Sequence, residues 1–208
     1  MRSAYTCYRE LQRKHEEGMA YRISESPVRS HIGVFSPHGG GIEQGVSELV
    51  RAIANDDFSW YLFEGTRGTD NWVLHLSSHL FDEPCCVAFV KRHRIVLAIH
   101  GKNGDASQKT YLGGRNIKAR ELIGEFLRKA DFDVPEKTPF HLVGEDRNNI
   151  CNRCGCGEGV QLEITGGQRE QFFRGDFRTL AGRKLRTPLF QKYVATLRAA
   201  LHQLNKNV

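Results

Sequence analysis

Two histidines and a glutamate draw attention because of what surrounds them. His38 opens the run His38-Gly-Gly-Gly-Ile-Glu43, and His100 follows the apolar run Ile95-Val-Leu-Ala-Ile99. Two imidazoles and a carboxylate form a common ligand set for a catalytic zinc, leaving a fourth position open for water. The short interval lets one loop bend His38 and Glu43 onto a single ion. Gly39, Gly40 and Gly41 permit that bend, because glycine reaches backbone regions closed to other residues. Other readings stay open at this point. A glycine-rich turn after a strand also suits phosphate at a helix N-terminus. Residues 38–48, however, carry neither the Walker lysine nor the G-x-G-x-x-G spacing. A lone histidine at a strand end is more often structural than a ligand.

These groups need elements to hold them. His31 to Ser36 reads as a buried strand ending at Pro37, and Val46 to Ala54 repeats apolar residues at helical spacing. Strands are expected at Tyr21–Ser24, Trp60–Phe63, Val73–Ser77, Ile95–Ile99 and Val160–Ile164. Helices are expected at Tyr5–Glu17, Cys85–Val90, Asn116–Lys129 and Leu189–Leu204, with 131–139 as loop. The alternation predicts an α/β fold with a mixed, largely parallel central sheet flanked by helices. In such sheets ligands bind beyond the carboxyl ends of the strands. His38, Glu64 and His100 fall at expected strand ends and Glu163 near one, which is the main organisational fact in the sequence.

The length of 208 residues suits one domain, 1–208. No run approaches the roughly 20 apolar residues that span a bilayer. Met1 to Lys14 has no apolar stretch of signal-peptide type, so cytosolic synthesis is expected, with release by lysis compatible with it. The six cysteines are then expected to be reduced. Cys151, Cys154 and Cys156 resemble a metal knuckle but lack the second pair that a structural zinc site requires. A net charge of +6 favours a polyanionic partner. The basic stretch Arg169 to Arg186 carries no nucleic-acid motif, so nucleic acid is not the expected partner. A monomer is expected.

Longer blocks bring a resemblance. Ser36-Pro-His-Gly-Gly-Gly-Ile-Glu-Gln-Gly-Val-Ser-Glu-Leu49 resembles the signature of the phage-type poly-γ-glutamate hydrolases. So do Asp57-Phe-Ser-Trp-Tyr-Leu-Phe-Glu-Gly65, Leu74-His-Leu-Ser-Ser-His-Leu-Phe-Asp-Glu-Pro84, Ala98-Ile-His-Gly101 and Gly159-Val-Gln-Leu-Glu-Ile-Thr165, in order along most of the chain. Gln44 departs from the proline common in relatives. The resemblance implies a zinc carboxypeptidase-like fold and one zinc ion on His38, Glu43 and His100. It implies cleavage of γ-glutamyl amide bonds by a zinc-activated water, with Glu163 as general base and then acid. Such a substrate carries a free carboxylate on every unit, which arginine can hold through paired hydrogen bonds. Arg115 and Arg153 are candidate oxyanion donors, and Arg67, Lys102 and Arg147 are candidate carboxylate binders. A zinc amidase or carboxypeptidase acting on short peptides or cell-wall fragments would use the same metal set. A non-catalytic polyanion binder would not need it. His75 is a candidate to orient a ligand, with a structural role equally open.

Overall fold

The computed structural model describes residues 3–26, 28 and 30–206. Six strands form one sheet in the order β1-β3-β2-β4-β6-β5. They are β1 (Tyr21–Glu25), β2 (Ile32–Gly40), β3 (Ser59–Gly65), β4 (Ile95–Lys102), β5 (Thr110–Gly113) and β6 (Val160–Thr165). The four central strands run parallel, and β1 and β5 pair antiparallel at the two edges. This is the mixed, largely parallel sheet expected from the alternation of apolar runs.

Period-two alternation decides which helices cover which face. Ile32, Val34, Leu97, Ile99, Leu162 and Ile164 share one buried cluster with α2 (Val46–Ala54), α4 (Ile117–Lys129) and α6 (Pro188–Lys206). Phe35, Tyr61, Phe63, Val96 and Ala98 face the other way, against α1 (Tyr8–Lys14) and α3 (Pro84–Arg92). The second face also receives Leu74, Leu76, Phe81 and Ile150 from irregular segments. By the same alternation, His100 and Glu163 belong to this second face. α3 begins as its sequence signals, with Pro84 in the first turn and the Glu83 carboxylate accepting from the Cys85 and Cys86 N–H groups.

Three local readings are corrected. The strand expected to stop at Pro37 continues to Gly40. Its register against β3 shifts between Ser36 and Gly39. Proline has no N–H for a ladder and is accommodated where pairing is irregular. The expected strand at Val73–Ser77 is a short 3-10 turn, Asn71–Leu74, followed by unladdered backbone. Leu74 and Leu76 alternate inward because they pack on a sheet face, not because they pair with a strand. The short edge strand β5 lies in a stretch too brief for periodicity to reveal.

The chain leaves β2 for β3 on one side, then crosses back to β4 on the other. β2 and β4 pair only from Ile32↔Ile95 to Phe35↔Ala98. Beyond that point β2 follows β3 and β4 follows β6. The carboxyl ends of the two strands therefore part at the topological switch point, where open α/β sheets form a crevice. Among the described residues, no helix is long and apolar enough to cross a membrane.

Candidate metal centre

His38 and His100 stand on either side of that opening, and Glu43 folds back into it. The glycine turn makes this possible. Gly40 has φ +65°, and a Cβ there would lie 2.4 Å from the Gly65 carbonyl oxygen. The turn is tied by Glu43 N–H to the His38 carbonyl (3.0 Å), Gly41 N–H to the Gly65 carbonyl (2.9 Å) and Gly40 N–H to Ser47 Oγ (2.8 Å). Gln44 closes it further, its side-chain amide donating to the Gly41 carbonyl at 3.0 Å.

Two imidazole nitrogens and the two oxygens of one carboxylate converge. His38 Nδ1 lies 3.1 Å from His100 Nδ1 and 3.1 Å from Glu43 Oε1, and His100 Nδ1 lies 3.7 Å from Glu43 Oε2. All three residues are buried. His38 Nε2 donates to the Leu76 carbonyl at 2.9 Å, which leaves the Nδ1 lone pair facing the other two donors. Glu43 is oriented by the Gly101 N–H, 2.7 Å from Oε2. Lone pairs gathered this closely repel one another unless a cation or a proton lies among them. Zinc bonds of about 2.0–2.2 Å set tetrahedral donors about 3.3 Å apart, so the set fits such an ion. His100 Nε2 is buried without a hydrogen-bond partner among the described residues.

A second group substitutes His75 for His100, with donor atoms of His38, Glu43 and His75 all within 4.8 Å of one another. His75 Nε2 lies 3.8 Å from Glu43 Oε1. Its ring is sandwiched between Trp72 (4.2 Å) and His38 (4.1 Å). In that group His38 and His75 face the same Glu43 oxygen, Oε1, whereas His100 approaches Oε2, and the His75 ring also buttresses the His38 ring. Burial and the neighbouring imidazoles bring the His75 pKa down to about 3, so its ring is neutral.

The field of the site is uneven. Burial opposes ionisation of Glu43, but His38 and His100 outweigh it and hold the carboxyl well below the usual range. Burial also opposes charging of His100, and Glu43 and Glu163 overcome it, raising its pKa. Glu163 is in register with His100 across the β4–β6 ladder. Burial raises its pKa to about 7, with Glu43 adding to the rise and His100, Arg169 and Lys102 opposing it. It keeps partial access to solvent. Gln161, two residues earlier on the same face, donates to Glu163 Oε1 at 3.3 Å. Gln161 is itself held by Asn149 (2.8 Å) and the Leu142 carbonyl (3.0 Å).

The other expected residues are more dispersed. Lys102 ends β4 in a 2.7 Å ion pair with Asp105. Arg153 donates to the Phe81 carbonyl at 3.2 Å, and the Phe81 ring meets the His38 ring edge-on at 6.3 Å. Arg115 follows β5 beside the start of β6, its backbone N–H donating to Asn152 at 3.1 Å. Arg67 is exposed and folded onto its own turn, and Arg147 is exposed on the loop before Asn149. Glu64 is committed to Arg22 and Arg51, each at 2.9 Å. All six cysteines are free thiols. Within the basic stretch Arg169 to Arg186, two of the arginines are not surface charges. Arg169 and Arg183 are both buried, and Arg183 pairs with Glu48 at 2.7 Å. Arg169, Gln161 and Asn149 were not singled out from sequence. Only Gln161 carried a signal, its place two residues before Glu163 on the same strand face.

A family model described as "Poly-gamma-glutamate hydrolase" matches residues 5–196. UPF0714 protein YmaC of Bacillus subtilis (strain 168) is 36% identical over 192 residues, covering 91% of this chain and 80% of that protein. The solved structure of a bacteriophage poly-gamma-glutamate hydrolase superimposes with a TM-score of 0.94 at 32% identity, covering 99% of this chain and 100% of that one. A zinc-free structure of YNDL superimposes with a TM-score of 0.90 at 27% identity, covering 97% and 98%. The architecture is thus that of the phage hydrolase, a zinc carboxypeptidase-like fold. Matched along nearly its whole length by sequence and by fold, the chain belongs to the poly-gamma-glutamate hydrolase family.

Proposed function

We propose that this protein is a zinc-dependent hydrolase that cleaves γ-glutamyl amide bonds in poly-γ-glutamate, with one ion held by His38, Glu43 and His100. The observation that carries the reading is the convergence of two imidazole Nδ1 atoms and a carboxylate, 3.1–3.7 Å apart, at the switch point of the sheet. Family membership and the likeness to a phage poly-gamma-glutamate hydrolase support the substrate. That a related structure is described as zinc-free supports the choice of metal. When bound, zinc supplies a Lewis acid for the scissile carbonyl and brings the pKa of water to roughly 7.

The chain's own groups supply the rest. The Leu76 carbonyl holds His38 in one tautomer, and the Gly101 N–H holds Glu43 in one orientation. Glu163 takes the proton from the attacking water and returns it to the departing amine nitrogen. Burial, which pushes this carboxyl up to about 7 in the ion-free site, makes it a stronger base than an ordinary carboxylate and so suits it to both halves of that task. Arg115 and Arg153 are assigned to the developing oxyanion. Arg67, Lys102 and Arg147 are assigned to substrate carboxylates. The protein acts as a monomer comprising one domain.

The test is incubation with high-molecular-weight poly-γ-glutamate, followed by polymer size on a gel, with and without a chelator. Loss of polymer length that chelation abolishes and zinc restores is the expected outcome. Intact polymer with zinc measurably bound redirects the assignment to an amidase acting on peptides or cell-wall fragments. Intact polymer with no bound metal overturns the catalytic reading and leaves a polyanion binder.

A further inference from the structure

The short helix α5 (Gly166–Glu170) follows β6 directly and carries a guanidinium with no solvent exposure, that of Arg169. A buried cation is retained only where its donors are satisfied. Arg169 Nε donates to the Ile164 carbonyl at 3.1 Å, Nη1 to the Gln44 carbonyl, and Nη2 to Asn103 Oδ1 at 2.6 Å. The acceptors come from three separate segments. Ile164 follows Glu163, Gln44 follows Glu43, and Asn103 lies three residues beyond His100.

The guanidinium also rests on the backbone next to His100. A Cβ built at Gly101 would lie 2.6 Å from Arg169 Cζ, so glycine is required for the fork to reach its acceptors. The Gly101 N–H is the donor that orients Glu43. Two of the three acceptors are main-chain carbonyls, so the fork senses backbone position, and its planar shape fixes the angles between the segments. Burial lowers the Arg169 pKa to about 10, with Glu43 and Glu163 opposing the fall, so it remains charged at neutral pH.

We infer that Arg169 is a positioning residue that locks the loop of Glu43, the end of β4 at His100 and the end of β6 at Glu163 into one metal-binding geometry. The inference rests on the metal site proposed above. It adds a residue that touches neither the ion nor the substrate. Lysine at this position keeps the charge but lacks the fork, and so cannot span the three acceptors.

Zinc affinity, measured by competition with a chromophoric chelator, is the primary reading, with the visible spectrum of the Co2+-substituted protein as the second. For Arg169→Lys, checked for folding by circular dichroism, zinc binding at least tenfold weaker than wild type and an altered Co2+ spectrum are expected. Gly101→Ala, which displaces the fork while leaving Arg169 in place, is expected to move both readings in the same direction. In Arg169→Ala, millimolar guanidinium is expected to restore zinc affinity, and sodium chloride at equal ionic strength is not. If the lysine variant does not fold, the glycine variant and the guanidinium rescue decide. Zinc affinity within twofold of wild type and an unchanged spectrum, with only the unfolding temperature lowered, would overturn the inference while leaving the hydrolase reading intact. A wild-type protein that binds zinc yet leaves poly-γ-glutamate whole overturns the substrate but not the clamp. Wild type that binds no zinc overturns both.

Discussion

Glu163 meets opposing demands. As a proposed base it must be charged, yet its surroundings favour the neutral acid up to about pH 7. Glu163→Gln is expected to lower kcat by about 10²–10⁴-fold, the usual contribution of a general base, with zinc affinity little changed. The acid limb of the wild-type pH profile is expected between the ordinary carboxylate pKa and about 7, since a bound dication draws the value down from that of the ion-free site. The stability effect has the opposite sign. In metal-free protein the folded state holds this proton to about pH 7, while the unfolded chain releases it near 4.5. The folded state is therefore not penalised below pH 4.5, and it loses stability progressively as pH rises from 4.5 to 7. In a chelator, Glu163→Gln is expected to unfold at a higher temperature than wild type at pH 8 and at a similar temperature at pH 4. A lower unfolding temperature at pH 8 would contradict the burial argument.

At the scale of elements, the site depends on β2 continuing past Pro37. The register shift between Ser36 and Gly39 and the positive φ of Gly40 turn the strand into the loop that returns Glu43. Gly40→Ala is expected to destabilise the fold by about 1–3 kcal/mol, from left-handed backbone and from the Cβ directed at the Gly65 carbonyl. Because the same turn delivers Glu43, zinc affinity is expected to fall as well, and denaturant unfolding together with chelator competition measures both. Gly18, which also has positive φ (+86°) but open space around it, is the control. Gly18→Ala is expected to cost stability without changing zinc affinity. Equal metal loss in both variants would mean that the Gly40 loop has no special coupling to the site.

For the whole molecule, a net charge of +6 acts on a polyanionic substrate over a Debye length of about 10 Å at 0.1 M salt and about 3 Å at 1 M. KM for poly-γ-glutamate is expected to rise severalfold across that range, with kcat changing less, because screening weakens capture and leaves the buried site largely unaffected. Steady-state kinetics at several salt concentrations measure the split. A KM independent of salt would mean that the cations near the site do not recruit the polymer.

Much of this organisation was already legible in the chain. The apolar runs that end in His38, near Glu163 and at His100 indicated a largely parallel sheet with its chemistry at strand ends, because local periodicity records which face each residue buries. The alternation of Val160–Thr165 put Gln161 and Glu163 on one face for the same reason. Periodicity misled at Val73–Ser77, where Leu74 and Leu76 point inward without strand pairing, so alternation records burial but not hydrogen bonding. Only the tertiary structure decided that β2 and β4 part after Phe35 and Ala98, bringing residues 62 positions apart to 3.1 Å. It alone separated Arg169 and Arg183, buried and bonded to distant segments, from the exposed arginines beside them. Charge and residue type are local properties of a sequence, whereas the desolvation and the remote carbonyls that give a buried guanidinium its role exist only once the chain has closed around it.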